Sequence, residues 1–243
     1  MANSPVAGGL SRALSLIGLV LFLPACQPVR EPQTTSTAPA AGWPAFDYAA
    51  VEGPESAVYT LDASRSRVEV VVHPDGPLAK FGHDHVVVLS APRGFLWHPA
   101  DLSQARADLR FAVAGMQVDP PDARARHALD TPLDAATVAG TRDNLMLHVL
   151  DPQQWPWIDV SLTHFRREGE QLSALVAISV NGQHSQQRHS FALEERDGAV
   201  KVTGNLVLQQ AELGLQPFSV LGGGLRVAQD MEVYFDLRGQ SPF

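Results

Sequence analysis

Two histidines separated by one residue stand where a turn meets an apolar run, in Phe81-Gly82-His83-Asp84-His85-Val86-Val87-Val88-Leu89. β-branched residues after a glycine predict a turn feeding a strand. Alternate side chains of a strand share a face, so His83, His85, Val87 and Leu89 are expected to point one way and Asp84, Val86 and Val88 the other. Imidazoles on such a face suit three roles. They can ligate zinc or copper, with His73 or His98 as a third ligand. They can hydrogen-bond the polar head of a ligand whose tail lies along Val87 and Leu89, or they can serve the fold alone. Asp84 is expected to cap the turn or pair with an arginine, and no Ser-His-Asp set is readable from spacing. His184 and His189, flanking Asn181-Gly182, are expected in solvent. His127, His148 and His164 fit core or rim positions.

The elements that would carry these residues are strands. Val68, Val70 and Val72 alternate with Arg67, Glu69, Val71 and His73 before the break at Pro74-Asp75-Gly76-Pro77. Leu109, Phe111 and Val113 alternate with Arg110, Ala112 and Ala114, which makes Phe111 a further candidate lining residue. Between Asp119 and Pro156 the pattern changes: Val138, Leu145, Met146 and Val149 recur at helical spacing, predicting one or two short helices ending near Leu150. Strands resume at Ile158, with two-residue hairpins expected at Asn181-Gly182 and Asp197-Gly198, and a last strand after Gly222-Gly223-Gly224. Trp155-Pro156-Trp157 reads as packing between helix and strand. The expectation is an all-β fold: an antiparallel barrel of eight to nine strands with a short helical insertion.

The chain has 243 residues, a formal net charge of −8 and a pI near 5.5, a balance that argues against nucleic acid or anionic lipid surfaces as partners. Residues 1–25 read as a signal peptide, with Ala13 to Phe22 its apolar core. The following Leu23-Pro24-Ala25-Cys26 resembles a bacterial lipobox, which makes Cys26 the candidate lipidation site and membrane anchor. Cys26 is the single cysteine, so no disulfide framework is available. Gln27 after it resembles outer-membrane sorting, which places the expected product on the periplasmic side of a bacterial envelope. Residues 26–56, rich in Pro, Thr, Ala and Ser, read as a tether that Trp43, Phe46 and Tyr48 interrupt, some of them tucking against the domain, and 57–240 read as the folded domain.

The order of short motifs along that domain resembles the YceI family. The matching pieces are Tyr59-Thr60-Leu61-Asp62, Gly82-His83-Asp84-His85, Asn144-Leu145 to Trp155-Pro156-Trp157-Ile158, Ile178 to Ser185, Leu213 to Phe218, and Asp230-Met231-Glu232-Val233. The resemblance implies a lipocalin-like barrel that binds a long-chain lipid or polyisoprenoid, with no enzymatic activity. The rival expectation, from the histidines, is a periplasmic metal-binding or redox-related enzyme using His73, His83 and His85. A third is an envelope protein whose barrel serves only as an interaction surface.

Overall fold

The computed structural model describes residues 42–53, 56–169 and 171–241. The signal segment 1–25, Cys26 and most of the tether lie outside them. Twelve strands follow in chain order: β1 (Ser56–Leu61), β2 (Arg67–Asp75), β3 (His85–Leu89), β4 (Arg93–Pro99), β5 (Arg106–Ala112), β6 (Gln117–Val118), β7 (Trp157–Glu168), β8 (Gln171–Val180), β9 (Gln183–Arg196), β10 (Ala199–Gln209), β11 (Ser219–Val220) and β12 (Leu225–Gln240). Two helices, α1 (Pro121–Arg126) and α2 (Ala135–Asn144), fall between β6 and β7. Eight strands make the ring β1-β4-β5-β7-β8-β9-β10-β12, which β1 closes by pairing Thr60 and Leu61 with Gln240 and Gly239 of β12. Further along β12 its free edge instead takes β2, then β3 and β6. The fold is the expected all-β antiparallel barrel.

Local chemistry explains the ring. Both hairpins place two left-handed residues at the turn, Asn181 and Gly182 (φ 49° and 69°) and Asp197 and Gly198 (φ 51° and 72°), the twist-matched type that Asn-Gly and Asp-Gly favour. Gly182 has a second reason to be glycine: a Cβ there would stand 2.5 Å from the Trp155 ring. On β12, Met231, Val233, Phe235 and Leu237 pack inward while Glu232, Tyr234 and Asp236 alternate with them. The ring is bonded unevenly. β9 and β10 pair only between Ala192–Arg196 and Ala199–Thr203. Beyond that, β9 keeps β8 as its partner and β10 keeps β12, which leaves an unbonded seam crossed by the short helical segment Gln210–Leu213.

Side chains fill one end of the barrel: Tyr59, Leu96, Phe165, Leu172, Phe191 and Val200 are buried together. At the other end α2 and the π-helical turn Leu145–Val149 lie across the opening. Asp134 starts α2 by accepting from the Thr137 N–H at 2.7 Å. Asn181 Nδ2 donates to the Val149 carbonyl at 2.6 Å, which ties the last turn to the β8–β9 hairpin. Outside the barrel, Ala123 of α1 is fully buried against Val71 and Val86.

The packed body starts earlier than the domain boundary expected at 57. Residues 42–51 lie along the outer face of β4 and β5. Phe46 stacks on Trp97 at 5.6 Å, the Arg110 guanidinium covers Trp43 at 4.9 Å, and buried Tyr48 donates its hydroxyl to Asp108 at 2.8 Å. Of the aromatics that interrupt the tether's composition, Tyr48 is buried on the sheet wall and Trp43 and Phe46 pack half-buried against it.

Candidate functional site

Between the filled end of the barrel and the helical turn lies a cavity of about 450 Å³. Its wall is almost wholly hydrocarbon, with Val70, Val87, Leu89, Phe111, Val160 and Val233 among the lining residues and Leu145, Val149 and Leu215 at its covered end. Val87, Leu89 and Phe111 therefore line the interior, as their strand phase predicts. Of the polar lining residues, His83, His85, Thr141, Asn144 and Arg226 are exposed or half-buried and border the opening, whereas Gln210 is buried and donates Nε2 to the Ala228 carbonyl.

His85 is the best-held of the residues at the opening. Its Nδ1 lies 2.6 Å from Asp119 Oδ2, and the other carboxylate oxygen accepts from the Val86 N–H at 3.0 Å and from Arg124 Nη1 at 2.8 Å. Arg124 also donates to the carbonyls of Asp84, Leu129 and Thr131. Asp119 is 5% exposed and Arg124 8%. Burial pushes the Asp119 carboxyl up, but the bonds from His85, Val86 and Arg124 outweigh it and hold the carboxyl below its usual range. The carboxylate engages Nδ1 and leaves Nε2 as the ring nitrogen turned to the mouth. Nε2 is 3.5 Å from Thr141 Oγ1, whose hydroxyl donates to the Thr137 carbonyl at 3.0 Å. Thr141, His85 and Asp119 thus line up in the order of a hydrolytic triad. The hydroxyl proton is committed to the helix backbone, however, so the set orients an imidazole rather than activating a nucleophile.

His83 is exposed, with its ring centroid 6.2 Å from that of His85. The expected metal trio is not assembled. His73, out of phase with Val70 and Val72, places Nδ1 2.7 Å from Asp84 Oδ1 and Nε2 3.6 Å from Glu232. Asp84 therefore pairs with a histidine, not with an arginine. His98 pairs with Glu195 at 3.0 Å. Among the described residues no group of three or more His, Cys, Asp and Glu side chains is set to hold a metal ion. His184 is exposed, as expected. His189 is not in open solvent as expected: its ring borders the cavity and its Nε2 is buried. Both flank the same hairpin, but they sit on opposite faces of β9, an odd number of residues apart.

Asp119, Arg124, Thr141 and His189 are the site residues that spacing did not reveal. Asp119 is 34 positions from His85 and precedes Pro120-Pro121, so it reads as the start of a helix. Thr141 is a small polar residue within a weakly amphipathic helix. For His189 a signal was present: it shares strand parity with buried Phe191.

The described residues form an eight-stranded antiparallel barrel with an apolar interior cavity and a helical segment across one opening. No family model matches the chain, and no curated protein matches it. Among solved structures, BcnA of Burkholderia cenocepacia aligns over 73% of this chain and 98% of its own, at 12% identity and a TM-score of 0.56. A mutant CJ YceI protein aligns over 63% of this chain and 83% of its own, at 7% identity and a TM-score of 0.45. The fold is YceI-like; at such identity the likeness extends to the fold alone.

Proposed function

We propose that the protein is an exported, lipid-anchored carrier that holds a long-chain amphipathic lipid or isoprenoid in its barrel. One observation carries this reading: an interior cavity of about 450 Å³ walled by hydrocarbon, with polar groups concentrated at its mouth. Taking a chain methylene as about the size of a water, whose share of liquid volume is roughly 30 Å³, that space takes about fifteen methylenes. His85, fixed by Asp119, and exposed His83 would meet the head group, while Val87, Leu89 and Phe111 would contact the tail. Lipidation of Cys26 would hold the carrier on the periplasmic face of the outer membrane.

The test is native mass spectrometry of the purified protein, solvent extraction, and titration with a fluorescent fatty acid in the wild type and in Val87→Trp. A retained lipid-mass species and probe binding that falls about 50-fold in the variant are expected, since displacing three methylenes costs about 2.4 kcal/mol at ~0.8 kcal/mol each. An empty wild-type protein that binds the probe no better than the variant overturns the carrier reading. For the anchor, the mature protein and Cys26→Ser are compared by mass; an N-terminus without acyl mass overturns lipidation.

A further inference from the structure

The hydrocarbon wall carries an imidazole away from the mouth. His189 lies on β9 opposite Ala174 of β8, six residues along the strand from Gln183 at the hairpin. It stands four strands round the sheet from β3, the strand of His85. Val176, Phe191, Val202 and Leu206 line the cavity in the same region. Phe191, on the same strand face, belongs to the packed end of the barrel, so His189 sits where the empty space gives way to the filled core.

This ring is in an unusual state. Its Nε2 is closed off from solvent and finds no hydrogen-bond partner among the described residues, whereas buried polar side-chain atoms are paired in the large majority of cases. Burial holds the imidazole below the usual histidine range, against an opposing pull from the Glu212 carboxylate. Glu212 is itself engaged, accepting from Gln187 Nε2 at 2.6 Å. The neighbouring strand offers nothing either, because β10 has parted from β9 at this level. Nε2 is therefore buried and without a partner among the described residues. The side chain's χ2 torsion is broad, so turning the ring toward the cavity sacrifices no hydrogen bond at Nε2.

We propose that His189 forms a second polar subsite, which takes an oxygen carried on the ligand's chain at a distance from the head group. The inference rests on the carrier reading and adds a specificity to it: the preferred ligand is a long-chain amphiphile with a hydroxyl or carbonyl away from its head. A hydroxyl suits the site best, since it both donates and accepts and so matches either imidazole tautomer.

Two probe pairs test this by isothermal titration: hexadecanoic acid against 16-hydroxyhexadecanoic acid, and octadecanoic acid against 12-hydroxyoctadecanoic acid. In a purely apolar cavity the added hydroxyl goes unpaired, at about 1–3 kcal/mol or roughly 5- to 150-fold in affinity. The wild type is expected to bind at least one hydroxy acid as tightly as its parent. His189→Leu should restore that 5- to 150-fold penalty, and His189→Gln, which keeps donor and acceptor, should largely remove it again. The leucine variant should also melt no lower than the wild type in the absence of ligand, because it deletes an unpaired polar atom. A hydroxy-to-parent ratio identical in wild type and His189→Leu for both pairs overturns the subsite and leaves the carrier reading standing. A leucine variant that melts well below the wild type assigns the imidazole to the fold and overturns it equally. A wild type that binds none of the four acids overturns the subsite, and if it also retains no lipid-mass species on purification the carrier reading falls with it.

Discussion

Removing Asp119 should cost the barrel more than any exposed carboxylate would, and the size of the loss follows from its partners. In Asp119→Ala three donors lose their acceptor at once: Arg124 Nη1, the Val86 N–H and the protonated Nδ1 of His85. Breaking a buried ion pair from one side costs about 3–5 kcal/mol, because the remaining charge stays buried. Arg124 keeps the carbonyls of Asp84, Leu129 and Thr131 as acceptors, which places the expected loss near the lower bound, about 3 kcal/mol. Arg124→Met should cost a similar amount, since it leaves those three carbonyls and one carboxylate oxygen short of a donor. The double variant should lose less than the sum of the two, with a coupling of about 1–3 kcal/mol. Urea unfolding followed by tryptophan fluorescence measures all four proteins, and the midpoint should move while the slope stays constant. Asp119→Asn, which retains one acceptor oxygen and tolerates the residue's φ of 53°, should fall between. Single losses below about 1 kcal/mol, or strict additivity, would show that the three groups do not act as one network and would refute this account of how His85 is held.

Gly182→Ala meets both a φ of 69° and the Trp155 ring; a loss of about 2–3 kcal/mol and a melting point lower by roughly 4–12 °C are expected by calorimetry. Phe111→Ala, at a residue 3% exposed, should cost about 3–5 kcal/mol in urea, and a smaller loss would mean that the cavity yields easily at that wall. Tyr48→Phe should cost about 1 kcal/mol, because Asp108 keeps Arg106 as a partner, and should hasten proteolysis within residues 42–51; an unchanged cleavage rate would show that the segment does not depend on this bond. The folded state lowers the proton affinity of His189, so the unfolded chain takes up its proton first as pH falls below about 6.5. Stability should then drop by at most ~1.4 kcal/mol per pH unit from this group, and His189→Leu should lose less between pH 7 and 5. An equal loss would assign the dependence to the other histidines. Asp119 acts in a lower window: its depressed carboxyl contributes stability that is present above about pH 3.9 and lost as pH falls through its folded value.

The barrel was legible because antiparallel strands write their burial in a period of two. Val68, Val70 and Val72, and His85, Val87 and Leu89, keep in the structure the faces that alternation assigned them. The hairpins were legible because Asn-Gly and Asp-Gly name their own turn. Lateral pairings left no such mark. Nothing local says that Asp119 returns to His85 across 34 positions, because that contact depends on how β6 and α1 fold back over β3. His73 misled for the opposite reason: proximity in sequence suggested a ligand trio, but a residue out of phase with Val72 turns to Asp84 and Glu232. The aromatics of residues 42–51 were visible as exceptions in a polar stretch, yet composition could not tell a rim contact from burial on the β4–β5 wall.

The seam between β9 and β10 bears on how this barrel moves. A fully laddered barrel opens only by breaking many bonds together, whereas here the stretch from Gln183 to Phe191 already faces β10 without backbone bonds. Amide hydrogens pointing into that slot should exchange with deuterated water well before those of β7 and β8, whose ladder runs nearly the length of both strands. The wall can therefore widen along one line while the other strands stay bonded, and the interior can change girth without unfolding. Under the proposed carrier function, chains of different thickness would be accommodated by how far these two strands part.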